Sequence, residues 1–393
     1  MTSKPIRVLF VDQYGTLGGA QKVLLTLIRA LDKAQFTCTA ALNGRGPLWE
    51  HLSQSRIKVV SLPLGHYRAG RKSLPEQVRF FLRTVLCLIW LLRLIRKSKF
   101  DVIYCNGPQI FCCATLAGKV SRLPVLWHIH SVLPAGLAHK VAAYIARWTS
   151  RILACSQASA HSLFRRDTSI PVRMQVLPNP RPMRIEIMGR EKALQILRLP
   201  QLDSGRMGFG VVGRITPFKG QLEFIKAAAL VTRQWKDVYF WVVGSPAPSD
   251  SGDREYFEGV IQCVRNHALD AAVFFVPWRE DIAPCYALFD VLVLPSQGEE
   301  GLPLCALESL SMGKPVIAAR RGGVTDVLED DFNALLVEDA SPTKLSAKML
   351  EVLESPEKRR RLSSNASRGM DSWMTPQQFG QRVGQILLET VNP

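Results

Sequence analysis

Two carboxylates, Glu300 and Glu308, stand in E-x7-E spacing within Pro295-Ser-Gln-Gly-Glu-Glu-Gly-Leu-Pro-Leu-Cys-Ala-Leu-Glu308. The run reads as a strand end, a glycine-bearing loop and a helix. That helix carries Leu304, Leu307 and Leu310 on one face and stops at Gly313 and Pro315. Glu300 then sits in the loop and Glu308 on the helix, so the two carboxylates lie at different depths. Such a pair can accept hydrogen bonds from sugar hydroxyls, while the helix N-terminus offers N–H groups to a phosphate. A second cluster is Gly213-Arg214-Ile-Thr-Pro217-Phe-Lys219-Gly220. It too reads as a strand end passing into a helix: Pro217 suits a first helical turn, and Leu222, Ile225 and Ala229 follow at helical spacing. Arg214 and Lys219 at such a terminus would build a site for a diphosphate. Taken alone, they read equally well as solvated surface charges. Gly208-Phe-Gly-Val-Val-Gly213 matches the dinucleotide-binding G-x-G-x-x-G only by letter, because its glycines fall inside a strand and no helix opens before Pro217.

Holding these groups requires parallel sheets covered by helices, and short apolar or β-branched runs alternate with amphipathic ones along the whole chain. The first series of expected strands lies at 7–11, 37–41, 59–62, 101–104, 125–130 and 151–154. Three prolines within residues 178–182 then interrupt any regular element. The second series is expected at 208–213, 238–243, 273–276, 291–295, 315–318 and 334–337, with a closing helix at 377–390. The expected organisation is an N-terminal domain, 1–182, a C-terminal domain, 183–374, and a final helical segment, 375–393.

The chain has 393 residues, 47% of them hydrophobic and 21% charged, which suits two α/β domains and excludes a disordered or fibrous protein. Its net charge of +17 is uneven: residues 1–185 hold 27 Lys and Arg against 6 Asp and Glu. The N-terminal half therefore faces something anionic, such as nucleic acid, a membrane surface or an acidic acceptor. Nine scattered cysteines show neither disulfide nor zinc spacing and point to reduced thiols in the cytoplasm. The N-terminus runs straight into a strand without a signal stretch. Residues 80–95 are nearly all apolar but span roughly 24 Å as a helix, short of a bilayer core. Two readings stay open for this segment. It is either a buried sheet-covering helix or a helix dipping into an anionic interface through Trp90 and Leu91, flanked by Arg71, Lys72, Arg79, Arg96, Lys97 and Lys99.

The E-x7-E segment, the Gly-Arg-x-x-Pro-x-Lys-Gly element and the Gly18-Gly19 loop, over nearly the whole chain, resemble the family 4 glycosyltransferases (glycosyl transferases group 1) of the GT-B fold. The resemblance implies an α/β protein of two Rossmann-like domains facing each other across a cleft. The first would bind the acceptor and the second the nucleotide-sugar donor, with residues 375–393 crossing back to the N-terminal domain. It further implies that Arg214 and Lys219 hold the donor diphosphate, Glu308 the ribose hydroxyls and Glu300 the sugar hydroxyls. Gly301, Leu302, Pro303 and Leu304 would contribute backbone contacts to sugar and phosphates, and Gly18 and Gly19 would let backbone approach the phosphate and acceptor. His130 corresponds to the family's histidine at the sugar edge; His128 is its neighbour on the same strand face. The sequence departs from the family at Gln21, where a glutamate is usual, and at Asp326, which shortens the arm of a Gly-Gly-x-x-Glu motif.

The implied activity is a retaining hexosyl transfer from a nucleoside-diphosphate sugar to a membrane-associated lipid or cell-surface polysaccharide precursor. The enzyme would be peripheral on the inner face of the plasma membrane. No cofactor is expected beyond the donor substrate, and no D-x-D pair offers to hold a metal. Two other readings compete. A sugar-nucleotide epimerase of similar fold would need acid/base carboxylates, for which the N-terminal half offers only Asp12, Asp32, Glu50, Glu76, Asp101 and Asp167. A nucleic-acid binder would leave the E-x7-E loop idle and lacks interleaved aromatics, so no nucleic-acid partner is expected.

Overall fold

A computed structural model of the chain describes residues 4–65, 73–164, 173–183, 186, 188–203, 205–247 and 250–392. The chain divides into two units, Met1–Pro180 with Met374–Pro393, and Arg181–Trp373.

In the first unit the elements run β1 Ile6–Asp12, α1 Gly19–Ala30, β2 Phe36–Leu42, α2 Pro47–Gln54, β3 Lys58–Ser61, α3 Leu74–Ser98, β4 Val102–Cys105, α4 Pro108–Ser121, β5 Val125–Ile129, α5 Leu137–Ile145, β6 Arg151–Ala154, α6 Gln157–Leu163 and β7 Met174–Val176. Their seven strands form a parallel sheet in the order β3-β2-β1-β4-β5-β6-β7. In register, Phe10 of β1 lies between Ala40 and Tyr104. Val8, Leu9, Phe10 and Val11 are all fully buried, as expected of a central strand covered on both faces.

The second unit contains α7 Arg190–Leu197, β8 Met207–Val212, α8 Gln221–Gln234, β9 Val238–Val243, α9 Ser251–Asn266, β10 Val273–Val276, α10 Ala283–Leu288, β11 Val291–Leu294, α11 Leu304–Ser311, β12 Val316–Ala319, β13 Ala334–Val337, α12 Pro342–Glu354 and α13 Pro356–Asp371. Six parallel strands take the order β10-β9-β8-β11-β12-β13. A last helix, α14 Pro376–Val391, belongs to the first unit. There the buried Phe379 brings its ring 6.2 Å from that of His128.

The two doubly wound sheets bear out the α/β expectation. They add β7, whose three residues carry too little pattern to be seen in the sequence. Gly208 and Gly210 do lie inside β8, where a Cβ on Gly210 would run into the Phe289 ring, while Gly213, with φ +151°, follows the strand. Close packing of the segment after α10 thus accounts for a residue that imitates a nucleotide fingerprint.

Helix α3, which contains residues 80–95, buries some of its apolar residues and leaves others exposed. A capping box at Ser73 and Glu76 starts the helix well before residue 80. Cys87, Leu91 and Ile95 bury one face of its C-terminal half in the core of the first unit. Earlier, Leu74, Val78, Phe81, Leu82 and Leu86 are exposed, Phe81 to 67%. Leu91 is core, and Trp90 packs against the core, so neither is the inserting residue expected from the sequence. Arg71 and Lys72 lie outside the described residues. Among the described residues, no helix is long and apolar enough to cross a membrane.

Candidate active site

In the second unit, β8 and β11 are neighbours whose chains leave in opposite lateral directions, β8 to β9 and β11 to β12. Open α/β sheets bind ligands outside the carboxyl ends of strands at such a switch point. Both sequence-identified clusters fall there. After β8, Pro217 to Lys219 form a single 3₁₀ turn and α8 begins only at Gln221. Lys219 therefore sits just before the helix, not within its first turn. The buried Gln221 braces this connection: its Nε2 donates to Arg214 O at 3.0 Å and its Oε1 accepts from Thr216 N at 3.4 Å. Gln297 N donates to Phe218 O at 2.8 Å, tying the loop after β11 to the loop after β8.

This tie brings Lys219 Nζ to 2.6 Å from Glu300 Oε1, an oxygen that also accepts from Ser296 Oγ at 2.6 Å. Burial by itself would depress the Lys219 ammonium, but the charge and hydrogen bond of Glu300 outweigh it, so the pKa lies above the ordinary lysine value. Arg214 extends its guanidinium into solvent with Nε 3.6 Å from the buried Asp253 carboxylate. Glu300 is also held through its backbone. Gly323 N donates to Glu300 O at 2.8 Å, and Gly322, with φ +60°, lies so close that a Cβ there would meet Glu300 O at 2.2 Å. The Gly-Gly-x-x-Asp motif thus supports the E-x7-E loop by backbone contact, independently of the shortened Asp326 arm.

Helix α11 opens at Leu304 behind Pro303, its N-cap, and carries Glu308. Gly301, Leu302 and Pro303 are buried, so backbone is the main chemistry they can offer. Glu308 Oε2 accepts from Tyr286 OH at 2.9 Å, and the same hydroxyl reaches Cys305 O at 3.0 Å. Ser296, Tyr286, Gln221 and Asp253 were not singled out from the sequence. Ser296 alone left a signal, being a polar residue at a strand end directly before the glycine loop.

In the first unit the switch point lies between β1 and β4. Gly18 is the N-cap of α1 and Gly19 its first residue, after β1 as expected. His130 stands one residue beyond β5, whose pairing ends at Ile129. Its Nε2 is 2.7 Å from Asn106 Oδ1. Asn106 Nδ2 donates to Asp12 Oδ2 at 2.6 Å and to Ala20 O at 3.2 Å. Asp12 also accepts from Tyr14 N at 2.8 Å and from Gln21 Nε2 at 2.9 and 3.1 Å. At position 21 a carboxylate would face a carboxylate, whereas the amide satisfies it; Gln21 is thus matched to its surroundings. Burial raises Asp12 to about 7, opposed by its hydrogen bonds to Asn106, Gln21 and Tyr14. Burial likewise lowers His130 to about 3, with Asn179 working the other way. His128 is held well below the ordinary histidine value, chiefly by burial, and its Nδ1 lies 2.6 Å from Tyr104 OH. The two imidazole centroids are 3.9 Å apart.

Among the other acids of this half, Asp101 is engaged by Arg7 at 2.8 Å, at the opposite end of the sheet, and Glu76 caps α3. Asp32 caps the turn after α1, Glu50 lies on α2, and Asp167 falls outside the described residues. Among the described residues, none of these acids is a hydrogen-bond partner of Asp12, Asn106 or His130.

Two Rossmann-like sheets, with Arg214, Lys219 and Glu300 at one switch point and a histidine network at the other, define the α/β class to which GT-B transferases belong. The family model for glycosyltransferase family 4 matches residues 17–182, and that for glycosyl transferases group 1 matches residues 200–369. The chain belongs to the family 4 glycosyltransferases of the GT-B fold and is a glycosyltransferase that uses a nucleotide sugar. It is 24% identical over 348 residues to UDP-Gal:alpha-D-GlcNAc-diphosphoundecaprenol alpha-1,3-galactosyltransferase of Escherichia coli, covering 86% of this chain and 85% of that one. It is 25% identical over 299 residues to the alpha-D-kanosaminyltransferase of Streptomyces kanamyceticus, covering 71% and 76% of the two chains. Among solved structures, Anabaena HepE in complex with UDP and glucose superposes with a TM-score of 0.81 at 22% identity, over 98% of this chain and 99% of that one. At that identity the likeness is one of fold.

Proposed function

We propose that the chain transfers a hexosyl group from a nucleoside-diphosphate sugar to an acceptor carried at an anionic membrane surface, with retention of anomeric configuration. The observation that carries this reading is the meeting of Lys219 and Glu300 at the switch point of the second unit, with Arg214 on the same loop. The arrangement matches what the reaction demands. The leaving nucleoside diphosphate gains negative charge as the glycosidic bond breaks, and Arg214, Lys219 and the backbone opening α11 supply fixed positive potential for it. Lys219, now paired with Glu300, would turn to the phosphates. Glu300 would then be free to accept from the donor sugar's hydroxyls, and Glu308, steadied by Tyr286, from the ribose. Retention follows if the acceptor attacks the face the diphosphate leaves, its proton passing to a leaving phosphate oxygen. Such a step needs neither a second carboxylate nor a metal to neutralise the leaving group. Gly18, Gly19 and His130 belong to the acceptor-binding side of this reading.

The membrane part rests on α3 and on charge. The exposed apolar stripe of α3 is accompanied by Arg79, Arg83 and Arg93, in the half of the chain that carries the basic excess. The E. coli relative's name specifies a diphosphoundecaprenol-linked acceptor. An acceptor of that kind would place the enzyme on the cytoplasmic face of the membrane. The test is a panel of nucleoside-diphosphate sugars scored for thermal protection, where saturation at 100 times Kd adds about 2.7 kcal/mol. Protected donors are then incubated with acceptor lipid in vesicles. The anomeric proton coupling of the product reports the stereochemistry. No protection by any nucleotide sugar overturns the donor reading, and an inverted product overturns retention.

A further inference from the structure

The hydrogen bonds at the switch point of the first unit form one directed chain. Asp12 ends β1, Asn106 follows β4 and His130 follows β5, three adjacent strands whose carboxyl ends share one edge. Direction is set by donor and acceptor capacity. An ionised carboxylate only accepts, so the Asn106 group facing Asp12 at 2.6 Å is the amide nitrogen, which also donates to Ala20 O. The group left for His130 is therefore Asn106 Oδ1, an acceptor, and His130 Nε2 at 2.7 Å must carry the ring proton. Nδ1 remains the unprotonated nitrogen. The same carboxylate accepts from Gln21 on the first turn of α1. One group thus holds the histidine and, through Gln21 and Ala20, the turn that begins at Gly18 and Gly19.

We propose that Asp12 is a positioning residue for transfer: through Asn106 it fixes His130 as its Nε2–H tautomer, with the buried Nδ1 left unprotonated and Asn179 as the ring's second partner, and through Gln21 it ties the glycine turn to the same frame. The role in transfer rests on the reading of His130 as a group at the sugar edge, whereas the tautomer stands on the network alone. Removing the charge without changing the shape should reverse the chain. In Asp12→Asn the new amide nitrogen has no acceptor unless Asn106 rotates. Rotation would turn its N–H₂ toward His130 Nε2 and favour the Nδ1–H form.

The experiment uses the full chain, labelled with ¹⁵N-histidine and studied at pH 8, where Asp12 is ionised. Long-range ¹H–¹⁵N spectra distinguish the two tautomers. The wild type should show Nε2–H for His130, assigned by its absence in His130→Gln. Asp12→Asn should shift His130 to Nδ1–H and lower kcat roughly fivefold to tenfold, the loss of one hydrogen bond in the transition state, with donor KM changing less. The exchange Asp12→Asn with Asn106→Asp returns a carboxylate beside Nε2 and should restore Nε2–H and part of kcat, which a purely structural role would not do. An Nδ1–H wild type overturns the proposal even if the variants fail to fold, as does an unchanged tautomer in a folded Asp12→Asn. A tautomer shift with unchanged kcat overturns the link to transfer while leaving the donor reading of the second unit, measured separately by thermal protection, intact.

Discussion

Replacing Lys219 by Met removes one charge of a close pair while keeping most of the side-chain volume. Glu300 is 8% exposed and the Lys219 side chain 23%, at 2.6 Å. A buried pair that loses one partner costs about 3–5 kcal/mol because the other charge stays uncompensated, and an exposed one costs about 0.2–1. This pair lies nearer the buried limit, and Ser296 still donates to the stranded carboxylate, so about 2–3 kcal/mol is expected. For a unit of this size that corresponds to a fall of about 5–10 °C in its thermal transition. Neutralising the carboxylate as well, in Lys219→Met with Glu300→Gln, should recover most of the loss. Activity should behave differently. Loss of the cation should cut release of nucleoside diphosphate about 10²- to 10³-fold at saturating donor, and the double variant should stay as inactive as the single one. Calorimetry and a coupled assay for nucleoside diphosphate read the two effects separately. Wild-type stability in Lys219→Met, or recovery of activity in the double variant, would refute the argument that the pair is both a buried ion pair and the resting form of a donor site.

Tyr286→Phe should raise donor KM roughly tenfold while altering kcat less, because it removes the hydroxyl that steadies Glu308; initial rates over a donor series decide it. His130, held at about 3 when folded against roughly 6.5 unfolded, makes the unfolded chain bind the extra proton, so its contribution is lost as pH falls from about 6.5 toward 3. Asp12, raised to about 7, acts with the opposite sign between about 4 and 7. The comparison must therefore be between variants: His130→Gln should lose less stability than the wild type between pH 7 and 4.5, measured by denaturant unfolding. Incubation with EDTA should leave transfer unchanged, and a loss restored by added metal would show that the fixed cations do not suffice. The protein should cosediment with anionic vesicles more than neutral ones and less as salt rises. Replacing Phe81, Leu82 and Leu86 by Ser should remove the salt-resistant part, and a wild type that stays in the supernatant at low salt refutes the membrane reading.

The fold was legible because parallel sheets write themselves as apolar runs separated by amphipathic ones. Val238–Val243, Val273–Val276 and Ala334–Val337 were read at the residues where the strands lie. What escaped had weak local pattern or was decided by neighbours. Strand β7 takes its place by pairing with β6, a contact no three-residue window reveals. Pro217 pointed to a helix start, but Gly220, with φ +71°, separates the 3₁₀ turn from α8. For α3, apolar content was read correctly and direction was not: a nearly continuous run leaves no periodicity to tell Leu91 in the core from Leu86 in solvent.

The clusters around the two switch points were legible to different depths for a related reason. Arg214, Lys219, Glu300 and Glu308 stand in motifs whose spacing is itself the signal, so two loops could be paired before either was seen. Of their supports, Ser296 lies in the same loop as Glu300, whereas Tyr286 and Asp253 come from elsewhere in the chain and are joined to the motifs only by the fold. Around His130 the sequence supplied the histidine and the deviation at Gln21, yet the two belong to one network because Asp12 and Asn106 end adjacent strands. At Gln21 the sequence shows only a departure from the family pattern. Placed beside a buried Asp12, the amide is the residue type that satisfies the site, since a second carboxylate there would meet the first without a donor between them.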